Sequence, residues 1–207
     1  MSFRNLIRVA CAATAVLALS ARADVRLPAI ISDHMVLQAD QPIKIWGWSD
    51  AGEKVTVKFE GEEVSADAGG KWLVTLKPHK AGGPFDLTVS SAKNSITVTD
   101  ILVGECWLGS GQSNMQWPVK LTNNADAEMA GADFPNIRLF SVPLVSNPQP
   151  QDDVKGKWVA CSPQTIPDFS AVLFYFGREL HKELNTPMGL IHTCLLYTSD
   201  AADDTPC

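Results

Sequence analysis

Apolar residues recur at every second position in short stretches of the first half of the chain. In KVTVKF, at 54–59, Val55, Val57 and Phe59 alternate with polar residues, which is the pattern of a strand buried on one face. Similar short stretches, separated by the turn sequences SDAGE, ADAGGK and AGGP, predict further strands at 43–46, 72–76, 85–89 and 95–98. Strands about ten residues apart with Gly and Pro turns are typical of an antiparallel β-sandwich, and we predict one at 24–100.

The pattern changes after residue 100. Residues 101–108 are almost continuously apolar, as in a strand of a sheet that is covered on both faces. Residues 121–170 predict long loops with short pieces such as NIRLF, and 188–192 predict another strand. With a helix between these segments, the order strand, loop, helix, strand predicts an α/β layered domain at 101–193.

The predicted helix lies in AVLFYFGRELHKELN. Ser170 can cap its start, and Asn185 followed by a proline marks its end. Apolar positions at helical spacing predict the buried face, and charged positions predict the solvent side. The apolar set is Val172, Leu173, Phe176, Leu180 and Leu184, and the charged set is Arg178, Lys182 and Glu183.

Both termini differ from the rest of the chain. Residues 1–23 place two arginines before an apolar run and end in Ala-Arg-Ala, the layout of a secretory signal peptide. We therefore expect cleavage after Ala23, a secreted or periplasmic protein, and no membrane association after cleavage. The final stretch, CLLYTSDAADDTPC at 194–207, resembles the translation of a sequencing-library adapter, and we expect it to be a non-native tail.

Composition narrows the possible partners. The chain has 45% hydrophobic residues and a net charge of −6, so it can bury a core, and nucleic acid is a poor partner. Outside the two terminal segments only Cys106 and Cys161 remain. Cys106 lies in an apolar strand, where a free cysteine often packs as a small hydrophobic residue. We predict that the two cysteines are unpaired.

A polar, glycine-rich corner, WLGSGQSNMQWPV at 107–119, follows an apolar predicted strand. Ligands of open α/β sheets bind at the carboxyl ends of strands. Asn114 stands where a dinucleotide fingerprint needs its third glycine, and Met115 stands where the Gly-x-Ser-x-Gly elbow needs its second. The remaining interpretations are a turn, a Ser/Asn-rich helix cap, or a nucleophile at Ser113 after a sharp turn at Gly111.

The segment GECWLGSGQSNMQWPV closely resembles the first block of the sialate O-acetylesterase family, carbohydrate esterases of the SGNH-hydrolase type. The resemblance continues through LPAIISDHMVLQADQPIKIWGWSDAGEKVTV, GGKWLVTL, AGGPFDLTV, IRLFSVP, GKWVACSP and FSAVLFYFGRELHKEL, so it covers nearly all of 27–193. It implies an SGNH-hydrolase-like α/β domain, incomplete here, preceded by the β-sandwich domain.

The resemblance also implies roles for individual residues. Ser113 would be the nucleophile and its own N–H an oxyanion donor. Gly104, Gly111, Gln112 and Asn114 would shape and support the loop. The implied reaction is a two-step acyl transfer on an O-acetylated carbohydrate, with sialic acid as the first candidate, and it uses no metal or organic cofactor.

The sequence leaves the family pattern near Cys194, before the blocks that supply a second oxyanion donor, an asparagine and an aspartate–histidine pair. His34, His79, His181 and His192 do not stand where the family places its base. We expect each of them to be structural or solvated. We therefore also expect the 207-residue chain to lack useful esterase activity.

Three alternatives stay open at this point. An acetylxylan esterase would use the same chemistry, because related families share the Gly-Gln-Ser-Asn element. A non-catalytic carbohydrate-binding protein could stack sugars on Trp46, Trp48 and Trp72, although tryptophans in strands more often lie in the core. A natural non-catalytic truncation is the third. The sequence leaves the oligomeric state open.

Overall fold

A computed structural model describes residues 24–145 and 147–193; the predicted signal peptide and tail lie outside the described residues. The strands are β1 Val36–Gln38, β2 Ile43–Trp48, β3 Lys54–Phe59, β4 Glu62–Asp67, β5 Lys71–Leu76, β6 Gly82–Ser90, β7 Ser95–Ser110, β8 Phe134–Ser141, β9 Trp158–Cys161 and β10 Met188–Thr193. The helices are α1 Ser113–Gln116, α2 Ala125–Ala130 and α3 Ala171–Leu184, with a 3₁₀ turn at Val119–Leu121.

The larger of two sheets is mixed. Its strand order is β4-β3-β6-β7-β10-β8-β9, and β1 pairs beside β7. Strands β4, β3, β6 and β7 are antiparallel, whereas β10 is parallel to both β7 and β8. The smaller sheet is the antiparallel pair β2 and β5. The fold is therefore a mixed α/β sheet with helices beside its parallel strands.

Strand β7 takes part in both regions of the larger sheet. Its first part pairs with β6, and residues 105–110 pair with β10. The register with β6 shifts beside Asp100, whose φ of 54° lies in the left-handed region, as in a β-bulge. Residues 95–98 and 101–108, predicted as two strands, are thus one bent strand.

An ion pair between the buried Arg138 and the partly exposed Asp100 holds this bend in place. The guanidinium of Arg138, on β8, donates to the two carboxylate oxygens of Asp100 at 2.6 and 3.0 Å, and it also donates to the carbonyl oxygen of Pro135 at 2.8 Å. These bonds to Arg138 favour the ionised carboxylate and hold the pKa of Asp100 below its ordinary value.

Two buried clusters form the interior. One combines the inward residues of β2 and β5 with those of β3, β6 and the first part of β7. The other lies among β8, β10 and α3. The β-sandwich domain at 24–100 and the domain boundary near residue 100 stay predictions, because β7 runs through that boundary without interruption.

Helix α3 confirms its predicted ends but only part of its predicted buried face. The Ser170 side chain accepts a hydrogen bond from the backbone of Leu173, and Asn185 ends the helix in the left-handed conformation. Leu173 is buried as predicted, whereas Val172, Phe176 and Leu184, also predicted to be buried, are exposed; the other buried residues are Ala171, Phe174 and Gly177. The helix is rotated because Gly177 packs closely on Leu190 of β10, a contact that a larger residue would prevent.

The structure differs from the sequence prediction in two further respects: some strands were not predicted, and residues 101–108 are not covered on both faces. Strands β1, β4 and β9 were not predicted, because β1 and β9 are short and β4 is polar and nowhere fully buried. Residues 101–108 are not covered throughout: Trp107 packs edge-on against Phe176, with ring centroids 5.0 Å apart, and Leu108 on the opposite face is 57% exposed.

Cys106 and Cys161, the cysteines of the described ranges, are unpaired, as predicted. Burial raises the pKa of both thiols, at Cys106 and at Cys161, to about 12, so neither is a ready nucleophile. Trp72 is buried, which makes the sugar-stacking interpretation wrong for this residue. Within 24–145 and 147–193, the helices are all too short or too polar to span a membrane.

Candidate active site

Ser113 is the first residue of α1, three positions after the end of β7, and it is exposed. This part of β7 is parallel to β10, with Ser110 beside Thr193. The serine therefore stands just beyond the carboxyl ends of two parallel strands, where ligands of open α/β sheets bind. The polar corner predicted from the sequence thus lies between the end of β7 and the start of α1.

The neighbours of Ser113 shape the turn in different ways. Gln112 is the N-cap residue, and its carbonyl accepts from the N–H groups of Met115 and Gln116 at 2.9 and 3.1 Å. Its side chain makes no cap hydrogen bond. The helix-cap interpretation is thus wrong for Ser113, which lies inside the helix.

Gly111 and Asn114 complete the predicted loop set. A Cβ on Gly111 would stand 3.2 Å from the Met115 Cβ, tighter than most such contacts, so the absence of a side chain lets the turn close. Asn114 is exposed on the first turn. Gly104, also predicted to support the loop, lies instead in the middle of β7 against Pro187, where it spaces two strands.

The segment after Ser113 is hydrogen-bonded through its backbone to residues 167–171, around the start of α3. The carbonyl of Trp117 accepts from the N–H of Ala171 at 2.9 Å, and the N–H groups of Val119 and Lys120 donate to carbonyls of this neighbouring segment, both at 3.0 Å. The Ser170 hydroxyl lies 3.2 Å from the Met115 sulfur. These contacts fix the turn that carries Ser113.

Ser113 opens into a depression of about 440 Å³ on the surface. Its lining residues are Ser113, Gln116, Trp117, Pro118, Lys120 and Asp168. A second depression, of about 550 Å³, also reaches Asp168 and continues toward Lys157 and Val159. The serine therefore has an open, partly polar groove beside it, large enough for a sugar ring.

Three of the four histidines have local contacts elsewhere. His34 Nδ1 is 2.6 Å from a carboxylate oxygen of Asp100, and His181 Nδ1 is 2.7 Å from the carbonyl of Thr186. His79 packs edge-on against an aromatic ring of the first core. None of the three lines the groove beside Ser113.

His192 is nearer in the fold. It lies on β10 opposite Gly109, and its ring packs edge-on against Phe169 with centroids 5.7 Å apart. Burial lowers its pKa, and a backbone hydrogen bond at Met115 opposes this shift. Its Nε2 has no partner among the described residues. The imidazole is thus packed beneath the turn that carries the serine.

The burial of His192 predicts a pH-dependent stability. Because the pKa of His192 is lower in the folded chain than in the unfolded chain, the unfolded chain binds a proton more readily than the folded chain does. The free energy of unfolding should therefore fall as the pH drops below the ordinary histidine pKa of about 6.5. The slope should reach at most about 1.4 kcal/mol per pH unit. Urea unfolding at about pH 7.5 and 5.5 measures it.

The His192→Gln variant should lose this part of the pH dependence, whereas His79→Gln should keep it. Equal slopes for the wild type and His192→Gln would contradict the assignment of the effect to His192.

Trp117, Lys120 and Asp168 are site residues that the sequence analysis missed. Trp117 was visible as an aromatic residue one helical turn after the serine, which was a usable signal. No sequence signal joins Asp168 to a serine more than fifty residues earlier. The backbone hydrogen bonds between the segment after Ser113 and the start of α3 bring them together. Within the described ranges, no group of three or more His, Cys, Asp or Glu residues is placed to bind a metal ion.

Known proteins resemble the chain in both sequence and structure. Sialate O-acetylesterases of mouse and human are each 34% identical over 80% of the chain, which spans 35% and 36% of their lengths. A crystal structure of a carbohydrate acetylesterase from Xanthomonas citri superposes with a TM-score of 0.80 at 36% identity, covering 82% of this chain and 40% of that one. No protein-family model matches.

The mixed sheet, the serine at its carboxyl edge and these similarities define the class: the chain is a homologue of carboxylic ester hydrolases of carbohydrates. Within that class it is homologous to the sialate O-acetylesterases. The resemblance noted from the sequence is confirmed. The chain spans about a third of the length of those curated relatives.

Proposed function

We propose that Ser113 is the nucleophile of a serine esterase that removes O-acetyl groups from carbohydrates. The observation that carries the proposal is its position: an exposed hydroxyl at the first residue of α1, at the carboxyl edge of the parallel strands and inside an open groove.

The backbone around Ser113 suits the chemistry of acyl transfer. Among the described residues, no backbone acceptor takes the N–H of Ser113 or of Asn114, as is usual in the first turn of a helix. Such free N–H groups can stabilise the oxyanion that forms when the hydroxyl attacks an acetyl ester. Gly111 and Gln112 support this arrangement by closing and capping the turn.

The reaction proceeds in two steps. The Ser113 oxygen attacks the acetyl carbonyl and the sugar leaves as an alcohol; water then attacks the acetyl-enzyme and releases acetate. A base must take the serine proton and return it to the leaving oxygen. We assign this base to none of the histidines in the described part of the chain.

O-Acetylated sialic acid is the first substrate that we propose, because several relatives are named for its hydrolysis. An acetylated neutral sugar, such as acetylated xylan, is the second candidate. The observation in its favour is the Lys120–Asp168 ion pair in the groove, with 2.5 Å between the charged atoms, which has no net charge to attract a carboxylate.

Acetate release tests this function. The full product of the gene would be incubated with O-acetylated sialic acid, acetylated xylan and 4-nitrophenyl acetate, and acetate would be measured enzymatically. We expect release from the sugar esters at a rate well above that of buffer. Release from the nitrophenyl ester alone would contradict a carbohydrate substrate, and release from none would contradict an esterase.

A further inference from the structure

Trp117 presents a fixed apolar surface beside Ser113. It is 52% exposed and lines the groove. Its indole N–H is already used, because it donates to the carbonyl of Leu121 at 3.2 Å, and its backbone is held by Ser113 and Ala171. The surface left for a ligand is therefore mostly ring carbon, which suits the apolar face of a sugar.

Lys120 and Asp168 lie in the same groove. Their side chains are 48% and 79% exposed, and Lys120 Nζ is 2.5 Å from one Asp168 oxygen. An exposed ion pair of this kind contributes little to stability. The ammonium keeps further N–H donors and the carboxylate keeps a second oxygen, so the pair can both donate to and accept from hydroxyl groups.

We infer that Trp117, Lys120 and Asp168 form a subsite for the sugar ring that carries the acetyl ester, and that it recognises hydroxyl groups rather than a carboxylate. The inference rests on the proposed function, since it places the ring beside Ser113. An aromatic wall with a few converging polar groups is the usual composition of a small-molecule site.

The charges decide against carboxylate recognition. A carboxylate that approached Lys120 would also approach the Asp168 carboxylate, so attraction and repulsion nearly cancel. The chain as a whole carries a net charge of −6, which gives an anionic sugar no long-range attraction. Hydroxyl groups meet no such repulsion, because they use both members of the pair.

Binding to the 207-residue chain tests the subsite. Ligand-observed NMR titrations would compare the methyl glycoside of N-acetylneuraminic acid, its uncharged carboxyl methyl ester and methyl xyloside. Trp117→Ala should weaken binding about tenfold, and Lys120→Met or Asp168→Asn about fivefold. Trp117→Phe, which keeps an aromatic face, should retain most of the affinity.

Trp46→Ala is the matched control, because Trp46 is also a partly exposed tryptophan but lines a different cavity. It should bind as the wild type does. The acid and its methyl ester should bind within about twofold of each other.

Three results would overturn the inference: no measurable binding of any of the three sugars, unchanged binding by Trp117→Ala, or loss of binding on esterification of the carboxylate. Failure of the proposed function is seen separately, as an absence of acetate release from sugar esters by the full gene product.

Discussion

Replacing Ser113 by alanine is expected to lower the rate of acetate release from an O-acetylated sugar by about a thousandfold or more, as loss of the nucleophile does in serine hydrolases. The change removes one exposed oxygen at the start of α1. It should leave the fold intact, because the hydrogen bonds within the turn and those that join it to the start of α3 are made by backbone groups and not by that hydroxyl. Acetate release by the full gene product measures the effect.

The matched control is Ser110→Ala. Ser110 ends β7 three residues earlier, and its hydroxyl oxygen is buried with no partner in the described part of the chain. Removing an unpaired buried hydroxyl is close to neutral or stabilising, so this variant should keep its activity. A Ser113→Ala variant within tenfold of the wild type would show that the nucleophile lies elsewhere.

A large loss of stability is expected when Gly104 is replaced by alanine. Its missing side chain lets β10 approach β7, and an added Cβ would overlap the carbonyl oxygen of Pro187. That oxygen is fixed by the N–H of Glu105 at 2.9 Å, and the Gly104 carbonyl is held by Ala39 at 2.7 Å. Because backbone must move, Gly104→Ala should lower the free energy of unfolding by about 3 kcal/mol.

Gly69→Ala is the control for this prediction. Gly69 lies in the exposed turn between β4 and β5, and a Cβ there would meet no atom within 4 Å. This variant should be neutral or slightly stabilising, since alanine restricts the unfolded chain. Urea unfolding of both variants measures the difference. Equal midpoints would mean that β7 and β10 can separate at Gly104 at little cost.

Local pattern was enough to predict the elements whose burial follows one face. Strand β3 alternates as KVTVKF requires, and α3 begins after Ser170 and ends at Asn185. The predicted buried face of α3 was only partly correct, because hydrophobicity alone cannot show that Gly177 will be the point of closest approach to β10. Strand β4 was invisible for a similar reason: its pairing with β3, rather than apolar side chains, holds it in place.

The candidate site divides in the same way. Ser113 could be proposed from a glycine-rich corner after an apolar strand, and the family resemblance singled it out. Trp117 was in view but had no assigned partner. Asp168 could not be predicted as its neighbour, because hydrogen bonds between distant backbone segments bring it to the groove, and no local pattern encodes such bonds.

The bent strand β7 has a consequence for how the molecule loses its structure. One end of it is buried with β6 in the first cluster, and the other end leads to Ser113. Melting of the first cluster would release the strand that holds the serine, so the two regions should unfold in one cooperative transition. A cut at residue 100 would divide β7 at its bulge. Neither fragment would then contain one continuous strand hydrogen-bonded to both β6 and β10.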